Sequence, residues 1–108
     1  MRLRISEVAA LAILDQADYY RETADALLAD RWEAAVDEAI RSLTHSPERG
    51  APCRLHHSSL SDLRWVLVPG FPRHMIFYRC TPAGSDLLIV HVLHGARNLE
   101  PLLNQDQE

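Results

Sequence analysis

The chain has 108 residues, 47% hydrophobic and 24% charged, a composition that fits one globular domain over residues 1–108 and excludes a disordered segment. Its formal net charge of −4 argues against nucleic-acid binding by the chain as a whole. No apolar run approaches the roughly 20 residues that span a bilayer, and Met1 to Ser6 lack the apolar stretch of a signal peptide, so a soluble, cytoplasmic protein with no membrane partner is expected.

Arg2, Leu3, Arg4 and Ile5 alternate, which predicts a short strand with one buried face. Ser6 is a good N-cap and Glu7 suits a first helical turn. Ala10, Ile13, Leu14, Ala17 and Tyr20 then recur at helical spacing, so a helix is expected to end near Thr23. Asp25 caps a second helix, with Leu28, Trp32, Ala35, Val36, Ala39, Ile40 and Leu43 as its apolar stripe. Pro47 and Gly50 stop it, and the short connection implies an antiparallel helix pair.

Residues 51–61 are polar and irregular. Leu63 to Val68 and Met75 to Cys80 alternate as two strands around a Pro69-Gly70 turn. Leu87 to Leu93 is almost wholly apolar and reads as a central strand covered on both faces. Ala96 to Leu103 makes at most one weak helical turn. The expected architecture is β-α-α-β-β-β, an α+β domain with a helical hairpin on one face of a small antiparallel sheet. The other face is expected to stay open, and such a face with a free edge calls for a partner.

Little of the residue content suggests catalysis. His56 and His57 are adjacent and diverge in an extended chain, while His91 and His94 fall on opposite faces of a strand. No HExxH, CxxC or G-x-S-x-G occurs, so neither a metal ion nor a cofactor is expected. Cys53, beside Arg54, reads as a free thiol and Cys80 as a small core residue; two cysteines make no disulfide framework. Trp32 belongs to the core. Trp65 either packs under the helices or anchors a partner on the open face.

Charge is unevenly spread. Residues 1–48 hold five arginines against ten acids, whereas residues 49–105 hold six arginines against three acids and five of the six histidines. Every cation is an arginine, which removes Schiff-base and P-loop lysines from consideration. Guanidinium binds carboxylate and phosphate bidentately, so arginines on an open sheet suggest an anion-binding patch.

The helical pattern Ala10…Leu14…Ala17…Tyr20, then Trp32…Ile40…Leu43…Pro47…Gly50, resembles the front half of RelE/ParE toxins. Leu63-Arg64 followed by Pro69-Gly70-Phe71-Pro72-Arg73-His74-Met75-Ile76-Phe77-Tyr78-Arg79 is similar to the ParE strand pair. Val90-His91-Val92-Leu93-His94-Gly95-Ala96-Arg97-Asn98 resembles the ParE closing motif R-V-L-H-G-A-R-D, with His91 and Asn98 as departures. The departure at Asn98 puts any charge-dependent role of that aspartate in question.

The resemblance implies a toxin of a type II toxin–antitoxin module, held by a cognate antitoxin in a hetero-oligomer. Ribosome-dependent nucleases of the RelE branch place an arginine three residues before the strand tyrosine and a tyrosine after the last G-x-R. Here Met75 takes the first position, and Leu99 to Leu103 contain no tyrosine. The ParE branch is implied instead, a non-enzymatic binder with DNA gyrase as target and no direct nucleic-acid contact. Arg64, Arg73, Tyr78, Arg79 and Arg97 are the expected partner surface. The alternatives are an mRNA endonuclease using Arg64, Arg79, His94 and Arg97, or a non-toxic antitoxin-binding relic.

Overall fold

A computed structural model describes residues 2–52, 63–81 and 85–95. Strand β1 (Arg2–Ile5) leads into helix α1 (Glu7–Thr23), helix α2 (Ala26–His45) and a 3-10 turn at Pro47–Arg49. Strands β2 (Ala51–Pro52), β3 (Arg64–Val68), β4 (Phe71–Cys80) and β5 (Asp86–His94) follow. One five-stranded sheet results, in the order β1-β5-β4-β3-β2.

The caps form as the sequence predicts. Ser6 Oγ accepts from Ala9 N at 3.0 Å and donates to Val90 O at 2.7 Å, so one hydroxyl starts α1 and ties it to β5. Asp25 accepts from Leu28 N at 2.7 Å to start α2. Pro69-Gly70 turns the chain between β3 and β4, and Gly70 takes φ +83°, the left-handed conformation that a Pro-Gly type II turn requires.

In α2, Trp32, Val36, Ala39, Ile40 and Leu43 are buried at the expected spacing. The α1 stripe is rotated from expectation. Ala9 and Ala17 are buried, whereas Leu14 is 53% exposed. Contact through alanines lets α1 approach β5 and α2 closely and leaves Leu14 on the flank.

The sheet also differs from the small antiparallel sheet expected. It is mixed, because β1 runs parallel to β5 through Arg2↔Asp86, Leu3↔Leu87, Arg4↔Leu88 and Ile5↔Ile89. The expected buried face of β1 is absent: all four residues are exposed, because β1 is an edge strand with a neighbour on one side only. Strand β4 starts at Phe71, earlier than the alternation suggests. Between Phe77↔His91 and Tyr78↔Ile89, Val90 is an extra residue, a β-bulge in β5.

Two apolar layers flank the sheet. Val66, Val68, Ile76, Tyr78, Leu87 and Ile89 pack with the helices. Tyr20, Trp32 and Phe71 interlock there, with Trp32 and Phe71 centroids 5.2 Å apart and edge-to-face, and Trp32 Nε1 donates to Ile13 O at 3.0 Å. Leu63, Phe77, Val90 and Leu93 form a second buried cluster with Trp65, Met75 and Leu88. Phe77 lies between Ile76 and Tyr78, so this cluster is on the face away from the helices. That face is not the open one expected: β4 and β5 are apolar on both sides, and Phe77 is only 1% exposed. Trp65, half-buried, belongs to this layer. The expected turn at 96–103 lies outside the described residues, as do His56, His57 and Cys53.

Candidate partner-binding face

The five residues expected on the partner surface do not share a face. Tyr78 is buried in the helix-side core and cannot meet a docked partner. Its hydroxyl donates to Pro47 O at 2.6 Å and accepts from Gly50 N at 2.8 Å, so it latches the turn after α2 onto the sheet. Burial pushes its pKa above the ordinary phenol value, against the Gly50 hydrogen bond and the Arg64 and Arg49 charges that pull it down. The hydroxyl therefore keeps its proton for Pro47.

Arg64 pairs in register with Tyr78 and stands on the same side. Its Nη1 donates to Gly50 O at 2.7 Å, so this guanidinium secures the same turn. Arg73 is exposed where β4 begins. There the β3 pairing jumps from Leu67↔Met75 to Val68↔Phe71, which sets Arg73 apart from the regular ladder. Arg97 lies outside the described residues. Arg79 alternates with Tyr78 and stands on the face away from the helices.

Two residues that sequence reasoning left out join Arg79. Arg4 and Arg79 both pair with Leu88 from opposite sides, and Arg2 pairs with Asp86 one step along. At about 4.8 Å between strands, Arg4 and Arg79 lie about 10 Å apart at the backbone. The Asp86 carboxylate is 3.9 Å from Arg2 Nε and 3.8 Å from Arg4 Nη1, too long for strong ion pairs. Sequence alone held no signal for this grouping, because the β1–β5 pairing joins residues more than 80 positions apart.

Apart from Asp86, the acids named next lie away from this group. Asp15, Asp18, Glu22, Asp30, Asp37 and Glu38 are all exposed on the two helices. Arginines flanking an apolar layer on one sheet face suit a ligand that offers carboxylates or phosphates beside apolar groups.

The set expected for an endonuclease is also divided. His94 pairs with His74, and His74 stacks on Trp32 of α2, so both stand on the helix side. Arg79 stands on the other side. Arg64 is level with Tyr78, about 13 Å along β4 from His74. Among the described residues no group of three or more histidine, cysteine or acidic side chains is placed to hold a metal ion.

The sequence matches the family model of the ParE toxin of the type II toxin–antitoxin system parDE over residues 3–99. The chain belongs to the ParE toxin family. Three solved structures share its fold. A chain of the chromosomal ParDE system from P. aeruginosa superposes with a TM-score of 0.71 at 16% identity, covering 87% of this chain and 95% of its own. The YoeB/ParE toxin from Agrobacterium tumefaciens gives 0.58 at 16% identity, with 87% and 98% covered. A chain of the RelBE2 toxin–antitoxin complex from Mycobacterium tuberculosis gives 0.59 at 20% identity, with 89% and 92% covered. No curated protein matches the sequence. The same fold thus occurs in chains of ParDE, YoeB/ParE and RelBE2 systems, and the fold alone does not choose a target. No helix among the described residues is long and apolar enough to cross a membrane.

Proposed function

We propose that this ParE-family toxin acts by binding rather than hydrolysis, that DNA gyrase is its target, and that a cognate antitoxin neutralises it. The observation that carries the non-enzymatic part is the separation of the endonuclease set: Arg79 stands on one sheet face, and Arg64 and His94 stand on the other. An endonuclease must converge cations and an acid/base on one phosphate, because the transition state is anionic and the proton transfers are short-range. The Tyr78 hydroxyl is held by Pro47 and Gly50 and has no such role. A binder needs only a surface, and Arg2, Arg4 and Arg79 around Leu88 provide one. The gyrase part rests on the ParE-family membership alone and is the part the experiment below tests. The antitoxin part follows from the same membership and from the cationic edge at β1, which suits an acidic segment.

The test is expression in a bacterial host with and without the adjacent open reading frame. Growth arrest that the second frame relieves, with cleaved gyrase–DNA complexes accumulating, is the expected result. New mRNA 5′ ends within translated messages, with supercoiling by purified gyrase unaffected, overturn it in favour of an endonuclease. Complex formation without growth arrest overturns it in favour of a non-toxic antitoxin-binding module.

A further inference from the structure

On the helix side, at the end of the sheet where β4 begins and β5 ends, two clefts of about 420 and 590 Å³ run together between α1 and the strands. Gln16, Tyr19, His74 and His94 line both. Arg73, Phe71, Pro72 and Tyr20 line only the larger cleft, and Asp15 and Trp32 only the smaller. The groove is therefore polarised, with the carboxylate of Asp15 towards one end and the guanidinium of Arg73 towards the other. His74 and His94 lie in the overlap, cross-strand partners with ring centroids 5.3 Å apart and perpendicular.

We propose that the Arg73 end of this groove receives the carboxylate side chain of an acidic peptide, held by Arg73 and the His74–His94 pair against the aromatic wall of Tyr19 and Phe71. Three observations carry this. First, His74 is 9% exposed and its Nδ1 has no hydrogen-bond partner, an uncommon state for a buried ring nitrogen. Second, Arg73 and His74 bring a cationic and a protonatable donor to this end, with His94 beside them, and a carboxylate seated next to the rings offers acceptors there. Third, Tyr19 is 56% exposed beside the groove, which leaves a rigid amphipathic ring for the peptide to cover. Asp15 repels a carboxylate from the opposite end and so fixes the orientation.

The site takes up a proton when it binds. Burial, and then the neighbouring His94, hold His74 below the ordinary imidazole pKa. The charged and titratable groups that line the groove with His74 are Asp15, Tyr19 and Tyr20 on α1, Arg73 on β4, and His91 and His94 on β5; α2 contributes Trp32, which does not titrate. A bound carboxylate favours the imidazolium that the empty groove disfavours. Binding then strengthens as pH falls, by up to about tenfold per pH unit for one proton taken up.

The proposal stands apart from the identity of the toxin's target. Its test uses the full chain with labelled histidines and two probes, N-acetyl-glutamate methylamide and its glutamine counterpart, followed by imidazole NMR between pH 5.5 and 7.5. The glutamate probe is expected to give saturable shifts at His74 and His94, tighter at lower pH, and the glutamine probe none. Arg73→Gln is expected to weaken the glutamate probe at least fivefold. Equal responses to the two probes, no saturable shift, or saturation by inorganic phosphate without any by the glutamate probe each overturn the proposal.

Discussion

Tyr78 shows how far one side chain departs from what its position in the sequence suggests. It sits between Phe77 and Arg79, where a surface aromatic would suit partner binding, yet it is fully buried and satisfies two backbone groups of the turn after α2. Gly50 is tied to the same contact. A Cβ there would lie 2.7 Å from Tyr78 Cε1 and 2.9 Å from Trp65 O, closer than any relaxed packing allows. Tyr78→Phe removes the hydroxyl and leaves Gly50 N–H and Pro47 C=O buried without it, at a cost of about 2–3 kcal/mol. Urea unfolding is expected to show a lower midpoint with an unchanged slope. Affinity for the antitoxin, measured where the variant is folded, is expected to stay the same. A large loss of affinity at full stability would return Tyr78 to the partner surface.

At the scale of elements, most of the architecture was legible in the sequence because its signals are local. Ser6 and Asp25 announce the helices, the period of 3.6 marks α2, and Pro69-Gly70 marks the hairpin. What stayed hidden depends on pairing between distant segments. Arg4 and Arg79 meet across Leu88 only because β1 returns beside β5. The rotation of α1 away from Leu14 depends on how closely its alanines approach the sheet. The second buried layer was legible only in β5, whose apolar run from Leu87 to Leu93 signals cover on both faces; around Phe77 the alternation carries no sign that the same cover extends over β4.

Two predictions belong to these elements. Gly70→Ala meets no atoms within 4 Å but forces a side chain into φ +83°, so it is expected to cost about 1 kcal/mol through backbone strain alone. Thermal unfolding checks it, and an unchanged midpoint would mean that the turn relaxes to another type. Arg2→Glu with Arg4→Glu reverses the charge of the exposed edge strand. The two ion pairs lost are long and exposed, so stability is expected to change little. Antitoxin association is expected to slow by about tenfold at low salt, with the difference shrinking as salt rises. Stopped-flow binding at two ionic strengths decides this, and wild-type association rates would exclude β1 from the interface.

At the scale of the whole molecule, one place where pH acts on the packing is His74. The exposed helical acids face water and carry little of the packing, whereas His74 sits under Trp32 at the junction of both helices with the β4–β5 end. Its folded pKa is lowered, chiefly by burial, so the unfolded chain binds more protons there near neutrality. The sign follows directly. The stability associated with a neutral His74 is fully present above the unfolded pKa of about 6.5 and is lost as pH falls through the lower folded value. The wild-type melting temperature is therefore expected to decline between pH 7 and pH 5. His74→Phe keeps a ring against Trp32 and Phe71 but cannot be protonated, so its decline over the same interval is expected to be shallower. Parallel melting curves for the two proteins would show that the acid sensitivity of the fold arises elsewhere.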